Sequence, residues 1–220
     1  MVKLKNHSYK PTFDNIPKEK RDRILAVATS EFANNGFENT SIYTIAKKAK
    51  ISVGSLYKYF DSKDNIFITV VQMGLYKLEG LLTEIYAKDE DVIIKVERII
   101  RELIYFSRKN PDLIKLYAVV TASKSSPLLV SVAQEMEAIS ADIYIKAIVE
   151  GQKTGDVREG IDPAFFAFML DNIFMSLQFS YACDYYKKRY AIYDGNGKFD
   201  SDEFVVEQTL KFIKAAFNFK

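Results

Sequence analysis

Three observations predict an all-α protein. Apolar residues recur at spacings of three and four along almost the whole 220-residue chain, and no stretch keeps the period-two alternation of a strand. Pro111, Pro127 and Pro163 each stand where an apolar periodic run begins, the position at which proline opens a helix. With 48% hydrophobic residues and only five Pro and nine Gly, the chain can bury a sizeable core in one or two units. About nine helices are expected, with no internal repeat or low-complexity tract.

The elements follow in order. Residues 1–16 read as a mobile, solvated tail carrying Lys3, Lys5 and Lys10. Lys18 to Asn35 places Ile24, Leu25, Ala28 and Phe32 on one face and stops at Gly36, a natural left-handed cap. Thr40 and Ser41 can cap a short helix whose apolar face is Ile42, Ile45, Ala46 and Ala49. Ser52 can cap a second, Val53 to Tyr59, which buries Leu56 with Phe60 beyond its end. Ser62 can cap a long helix reaching Tyr86. Further runs are Asp91 to Arg108, Pro111 to Ala122 and Pro127 to about Glu150. The Gly-rich stretch 151–162 reads as a connector. Pro163 opens a helix to about Lys188, and Asp200 or Ser201 caps the last one, through Phe217.

The two short helices at 42–59 carry the functional signal. Helices of eight or fewer residues do not hold themselves up in water, so neighbours must fix them. Such a pair, joined by a tight turn and followed at once by a third helix, is the arrangement of a helix-turn-helix, whose second helix presents small, polar and aromatic residues to DNA. The run from Gly36 to Lys63, GFENTSIYTIAKKAKISVGSLYKYFDSK, resembles the N-terminal domain of the TetR (tetracycline-repressor-like) family of bacterial regulators. The resemblance reaches from Lys18 to about Phe67, roughly a quarter of the chain. It rests on the Ile-Ala pair at 45–46, on S-x-G-x-L-Y-x-Y-F over 52–60 and on Lys63 three residues later. Lys50 departs from the pattern, standing where the family usually has Gly. A left-handed residue there costs about 1 kcal/mol.

The resemblance implies a helix-turn-helix domain at 17–63 and a ligand-binding and dimerisation domain at 64–220, with the fourth helix shared. It places Ser52, Val53, Gly54 and Ser55 toward bases, and Tyr57, Tyr59 and Lys63 on phosphates together with Lys58, Ser41 and Tyr43. Gly54 would let the backbone approach closely, and Val53 would touch a thymine methyl. Since phosphate contacts set register and base contacts set sequence, so few base-reading groups leave part of the specificity to DNA shape. Ser41, Ser52 and Ser62 serve as caps with or without DNA. One motif reads few base pairs, so the family works as a homodimer on a palindromic operator, joined through its last two long helices. The nearly all-apolar stretch 163–183 fits burial on several sides. Family members also bind a small, largely hydrophobic ligand among the later helices. The candidates here are Phe106, Tyr117, Met136, Tyr144, Phe168, Asn172 and Phe179, against the plain reading of each as core.

Charge agrees. Through Phe60 there are eleven Lys and Arg against five Asp and Glu, while the rest of the chain is net acidic. Other chemistry finds little footing. His7 is the only histidine and Cys183 the only cysteine, so a disulfide, a Cys–His pair or a histidine metal site is not expected. No Gly-rich phosphate loop appears. Residues 194–203 imitate a calcium loop, but its register puts Ile192 where the first carboxylate belongs. No membrane-length apolar run or signal-peptide core is evident, and a cytoplasmic location is expected. The reading is a ligand-responsive regulator, a repressor and not an enzyme, without cofactor. The alternative is a DNA-binding protein whose C-terminal domain takes a protein partner in place of a metabolite.

Overall fold

The computed structural model describes residues 8–88, 90–122 and 127–217, and among these it is helical throughout with no strand. Ten α-helices follow a 3-10 turn at Pro11–Phe13. They are α1 (Lys18–Asn39), α2 (Ile42–Lys48), α3 (Val53–Tyr59), α4 (Lys63–Tyr86), α5 (Val92–Lys109), α6 (Pro111–Ala122), α7 (Pro127–Thr154), α8 (Pro163–Ala182), α9 (Asp184–Tyr193) and α10 (Asp202–Phe217). They group into two compact units. One takes in the chain up to Tyr76 together with Lys115–Glu135, and the other Lys77–Ile114 with Met136 onward, so the division falls inside α4 rather than at its start.

The first unit is built around aromatic rings. Phe32, Phe60 and Phe67 are buried, and Phe67 meets Phe32 and Phe37 edge-on at 5.0 and 5.2 Å between ring centres. Ile24, Leu25 and Ala28 of α1 join Ile45, Ala46 and Ala49 on the near side of α2, at the positions the periodicity assigns. Gly36 takes φ 74°, but helix does not end there; one more turn runs past the kink to Asn39. Thr40 does not cap α2. It is buried, and its hydroxyl donates to the carbonyls of Glu31 and Gly36, which closes the kink.

The mobile tail expected over 1–16 is corrected for its described part. Phe13 is 0% exposed, seated against Phe60 and Tyr59 at 4.8 and 5.5 Å, and an aromatic ring with that much apolar area does not stay in water when a slot is open. Lys3, Lys5 and His7 lie outside the described residues.

In the second unit Ile99, Ile100, Leu103 and Ile104 of α5 pack with Leu170, Phe174 and Leu177 of α8, and with Val205, Val206 and Ile213 of α10. A bidentate pair from Arg101 to Glu203, and two bonds from Arg108 to one oxygen of Asp202, fasten the start of α10 to α5. Two boundaries differ from expectation. α7 continues through Gly151 to Thr154, with Gly151 so close to Val157 that a Cβ would lie 2.6 Å from its methyl. The helix expected from Pro163 to about Lys188 breaks at Cys183, which is extended (φ −93°, ψ 131°), and this break turns nine helices into ten.

By length and composition α4 passes for a membrane span, contrary to the expectation that no run does. Its apolar residues Ile66, Phe67, Val70, Val71, Leu82 and Ile85 are nevertheless buried in protein.

Candidate nucleic-acid interface

The short helices α2 and α3 are held at both ends by groups other than their own backbone. Ser41 Oγ accepts from the Tyr43 amide at 3.2 Å and Ser52 Oγ from the Ser55 amide at 3.0 Å, as N-caps do. Ser62 does the same for Asn65 at the head of α4. At the far end of α2, Arg23 Nε donates to the Ala49 carbonyl at 3.0 Å. At the far end of α3, three successive carbonyls are taken by the N-terminal segment. Lys10 Nζ donates to Tyr57, the Thr12 hydroxyl to Lys58 and the Lys10 amide to Tyr59. Lys50 has φ 56°, the left-handed turn conformation read from the motif.

The side chains proposed to face DNA divide into three groups. Ser52, Gly54, Tyr57 and Lys58 are exposed on α3, and Val53 and Ser55 are half-buried. Ser41 and Tyr43 are exposed on α2, Tyr43 to 66%. Gly54 has an ordinary helical φ, and a Cβ built there would meet nothing nearer than Ser52 Oγ at 3.9 Å. The fold itself therefore does not require glycine at 54.

Tyr59 and Lys63 stand apart from that surface. Tyr59 is only 7% exposed, with its ring against Phe13 and its hydroxyl accepting from Lys20 at 3.1 Å. Lys63 Nζ donates to the carbonyls of Phe37 and Glu38 and lies 4.4 Å from the centre of the Phe37 ring, so in this structure it closes the end of α1. Sequence reasoning missed Lys10, Thr12 and Phe13. The available signal was a pair of aromatics, Tyr9 and Phe13, in a stretch read as a solvated tail.

A model of the bacterial regulatory proteins of the TetR family matches residues 24–70. Residues 24–70 are thus similar to that family's N-terminal domain. Both short helices, α2 and α3, fall inside the matched stretch, where they form a helix-turn-helix. Over 102 residues the chain is 36% identical to an uncharacterised helix-turn-helix regulator, YdgC of Bacillus subtilis, a match covering 44% of this chain and 52% of that one. The chain thus spans about half the length of this curated relative. Solved structures extend the fold likeness. The regulator FadR from Bacillus subtilis in complex with stearoyl-CoA superposes with a TM-score of 0.69 at 17% identity, covering 87% of this chain and 96% of that one. AibR in complex with isovaleryl coenzyme A and operator DNA superposes at 0.67 and 15%, covering 88% and 97%.

The second unit contains an apolar cavity of about 40 Å³, walled by Leu82, Ile85, Val96, Ile99, Tyr144 and Leu170 among others. Polar groups stand at its edge. The Tyr86 hydroxyl donates to Glu150, and Lys95 Nζ lies 5.0 Å from the Tyr86 ring centre. Burial and the nearby Asp171 push the Tyr144 hydroxyl up, so it stays neutral, and its ring meets Phe174 edge-on at 5.7 Å. Of the seven pocket candidates only Tyr144 lines this cavity. Phe168 is 62% exposed, and Asn172 donates back to the Phe168 carbonyl at 2.7 Å, finding its partner within its own helix. Phe179 is buried beside Tyr186, Phe106 is half-buried on α5, and Tyr117 belongs to the first unit. The side chain of Met136 lies outside the described residues. The calcium-like loop is closed by Asp194, which accepts from the Phe199 amide.

Proposed function

We propose that the protein is a homodimeric, cytoplasmic repressor that reads a palindromic operator with α3 and leaves it when a small, largely apolar ligand enters the second unit. The observation that carries the DNA reading is Gly54. A glycine inside a seven-residue helix costs about 1 kcal/mol against alanine. Nothing within the chain requires it there, so its use is to admit something outside. Flanked by Ser52, Val53 and Ser55, it lets the α3 backbone come close to base edges, while Tyr43, Tyr57 and Lys58 reach phosphates. Lys63 joins them by exchanging the carbonyls of Phe37 and Glu38 for a phosphate, and Tyr59 supports the surface from beneath.

For the ligand, the support is the cavity and its rim. An apolar wall with one ammonium at the mouth suits an acyl chain ending in an anionic or thioester head, the class named for the bound forms of FadR and AibR. At about 40 Å³ the cavity holds little more than water. Binding such a ligand therefore means opening it. A second reading, in which this unit docks a protein partner, is favoured by Tyr185, Ile192 and Tyr193, all outward and exposed on α9.

The test is selection of binding sites from random duplexes at physiological salt. A recovered palindrome with half-sites about one helical turn apart supports the dimeric regulator. Salt-sensitive background binding alone counts against it. Adding fatty acids or acyl-CoAs should then raise the melting temperature and release the selected duplex; no shift with either would leave the partner reading.

A further inference from the structure

Seven residues make a helix too short to persist alone, and its last carbonyls are its weakest point. In α3 those carbonyls are not left to water alone. Tyr57, Lys58 and Tyr59 are bonded in succession by Lys10 Nζ at 2.9 Å, Thr12 Oγ1 at 2.5 Å and the Lys10 amide at 2.8 Å. The Lys10 ammonium also pairs with Asp61 at 2.7 Å, which puts a positive charge at the negative end of the helix dipole. Phe13 anchors the segment, buried between Tyr59 and Phe60. Its far side is tied down by Tyr9, whose hydroxyl donates to Asp14 at 3.1 Å, and by Arg21, 3.7 Å from the same carboxylate.

We propose that residues 9–14 are a clamp on the C-terminal end of the base-reading helix, and that Lys10 and Thr12 are positioning residues for sequence discrimination without touching DNA themselves. The clamp sets the pitch and reach of α3. Without it the last turn frays, and Ser52 to Ser55 meet the groove at a spread of angles. Contacts to particular bases then suffer more than the general attraction to phosphates, because only the former depend on angle. The proposal rests on α3 being the reading helix, and the experiment separates the two.

The variants are Thr12→Val, which keeps shape and removes the hydroxyl, Thr12→Ser, which restores it, and Lys10→Met. Each is compared with wild type in two measurements on the full chain. The first, needing no DNA, is amide hydrogen exchange of the α3 backbone. Thr12→Val and Lys10→Met should speed exchange at Lys58, Tyr59 and Phe60 about fivefold, the equilibrium weight of one ordinary hydrogen bond, and Thr12→Ser should not. The second is affinity for the selected duplex and for a scrambled one, across a salt series. The ratio of the two affinities should fall about fivefold in Thr12→Val and recover in Thr12→Ser, with an unchanged salt slope.

Unchanged exchange would overturn the clamp. Faster exchange with an unaltered ratio would overturn its role in discrimination. An equal loss on both duplexes with a shallower salt slope would also overturn it, since that is the signature of a direct phosphate contact by the segment. A wild type that prefers no duplex would sink the reading role of α3 instead, and the exchange rates alone would then decide whether the clamp exists.

Discussion

Lys50 holds the turn between α2 and α3 at φ 56°, the one positive value taken by a non-glycine side chain among the described residues. Glycine adopts that conformation without steric cost. Lys50→Gly is therefore expected to stabilise the protein by about 0.5 to 1 kcal/mol, read from urea unfolding. A loss of stability would mean that the lysine contributes more than its backbone costs. Asp171 offers a second test at this scale. Burial, with Glu137 nearby, raises its carboxyl from the ordinary 3.8 to about 6. The folded state therefore binds more protons than the unfolded one between those values, and stability falls as pH rises through that window. Above it the penalty is complete. Asp171→Asn should raise unfolding free energy by about 2 kcal/mol at pH 7.5 and by almost nothing at pH 4. Parallel stability curves for variant and wild type would dismiss this account. What was legible at this scale was local. The caps at Ser41, Ser52 and Ser62, and the backbone of Lys50, depend on neighbours within three positions, which the sequence displays. Asn172 was read as a polar group seeking a distant partner, yet the nearest carbonyl of its own helix meets its amide.

Among the elements, α3 would carry the closest link between stability and the proposed DNA reading. Its cap, Ser52, accepts from the Ser55 amide and also lies on the exposed side of the helix. Ser52→Ala should cost about 1 kcal/mol of stability. Ser52→Asp keeps a capping oxygen and favours the helix dipole, so the free protein should stay as stable as wild type. It also sets a carboxylate toward phosphates, and DNA affinity should drop at least tenfold. Retained affinity in Ser52→Asp would move that end of α3 away from the DNA surface. Element boundaries were legible wherever a stop signal was chemical, as at Pro111, Pro127 and Pro163. They were not legible where tertiary packing made the decision. Cys183 has no helix-breaking character, and the chain turns there because Phe179 and Tyr181 are buried or half-buried beneath Tyr186 and Tyr190 of the following helix. Gly151, read as the start of a connector, stays helical because its bare Cα fits against Val157. Phe13 stood in a polar stretch, and its slot is formed by residues more than forty positions away.

For the whole molecule, the aromatic content of α8 exceeds what its own unit buries. Ala167, Leu170, Phe174 and Leu177 face inward, while Phe165, Phe168 and Met169 remain exposed, as does Phe212 of α10. Such side chains are the anchors a two-fold interface uses. If the proposed dimer forms through this face, Phe168→Glu is expected to give a monomer by sedimentation velocity and to weaken operator binding by about a hundredfold, because one of two reading heads would be lost. An intact dimer would direct the search to α9, where Tyr185, Ile192 and Tyr193 are also exposed.

The tightness of the cavity beneath Tyr144 sets a tempo. A compartment of about 40 Å³ admits no acyl chain until its walls part, so capture of the proposed ligand would have to wait for an opening of the protein. In a stopped-flow experiment the observed rate of ligand capture should rise with ligand concentration and then level off at the frequency of that opening. Under the proposed function, release from DNA would then proceed at a pace set by the protein's own breathing, however abundant the signal becomes.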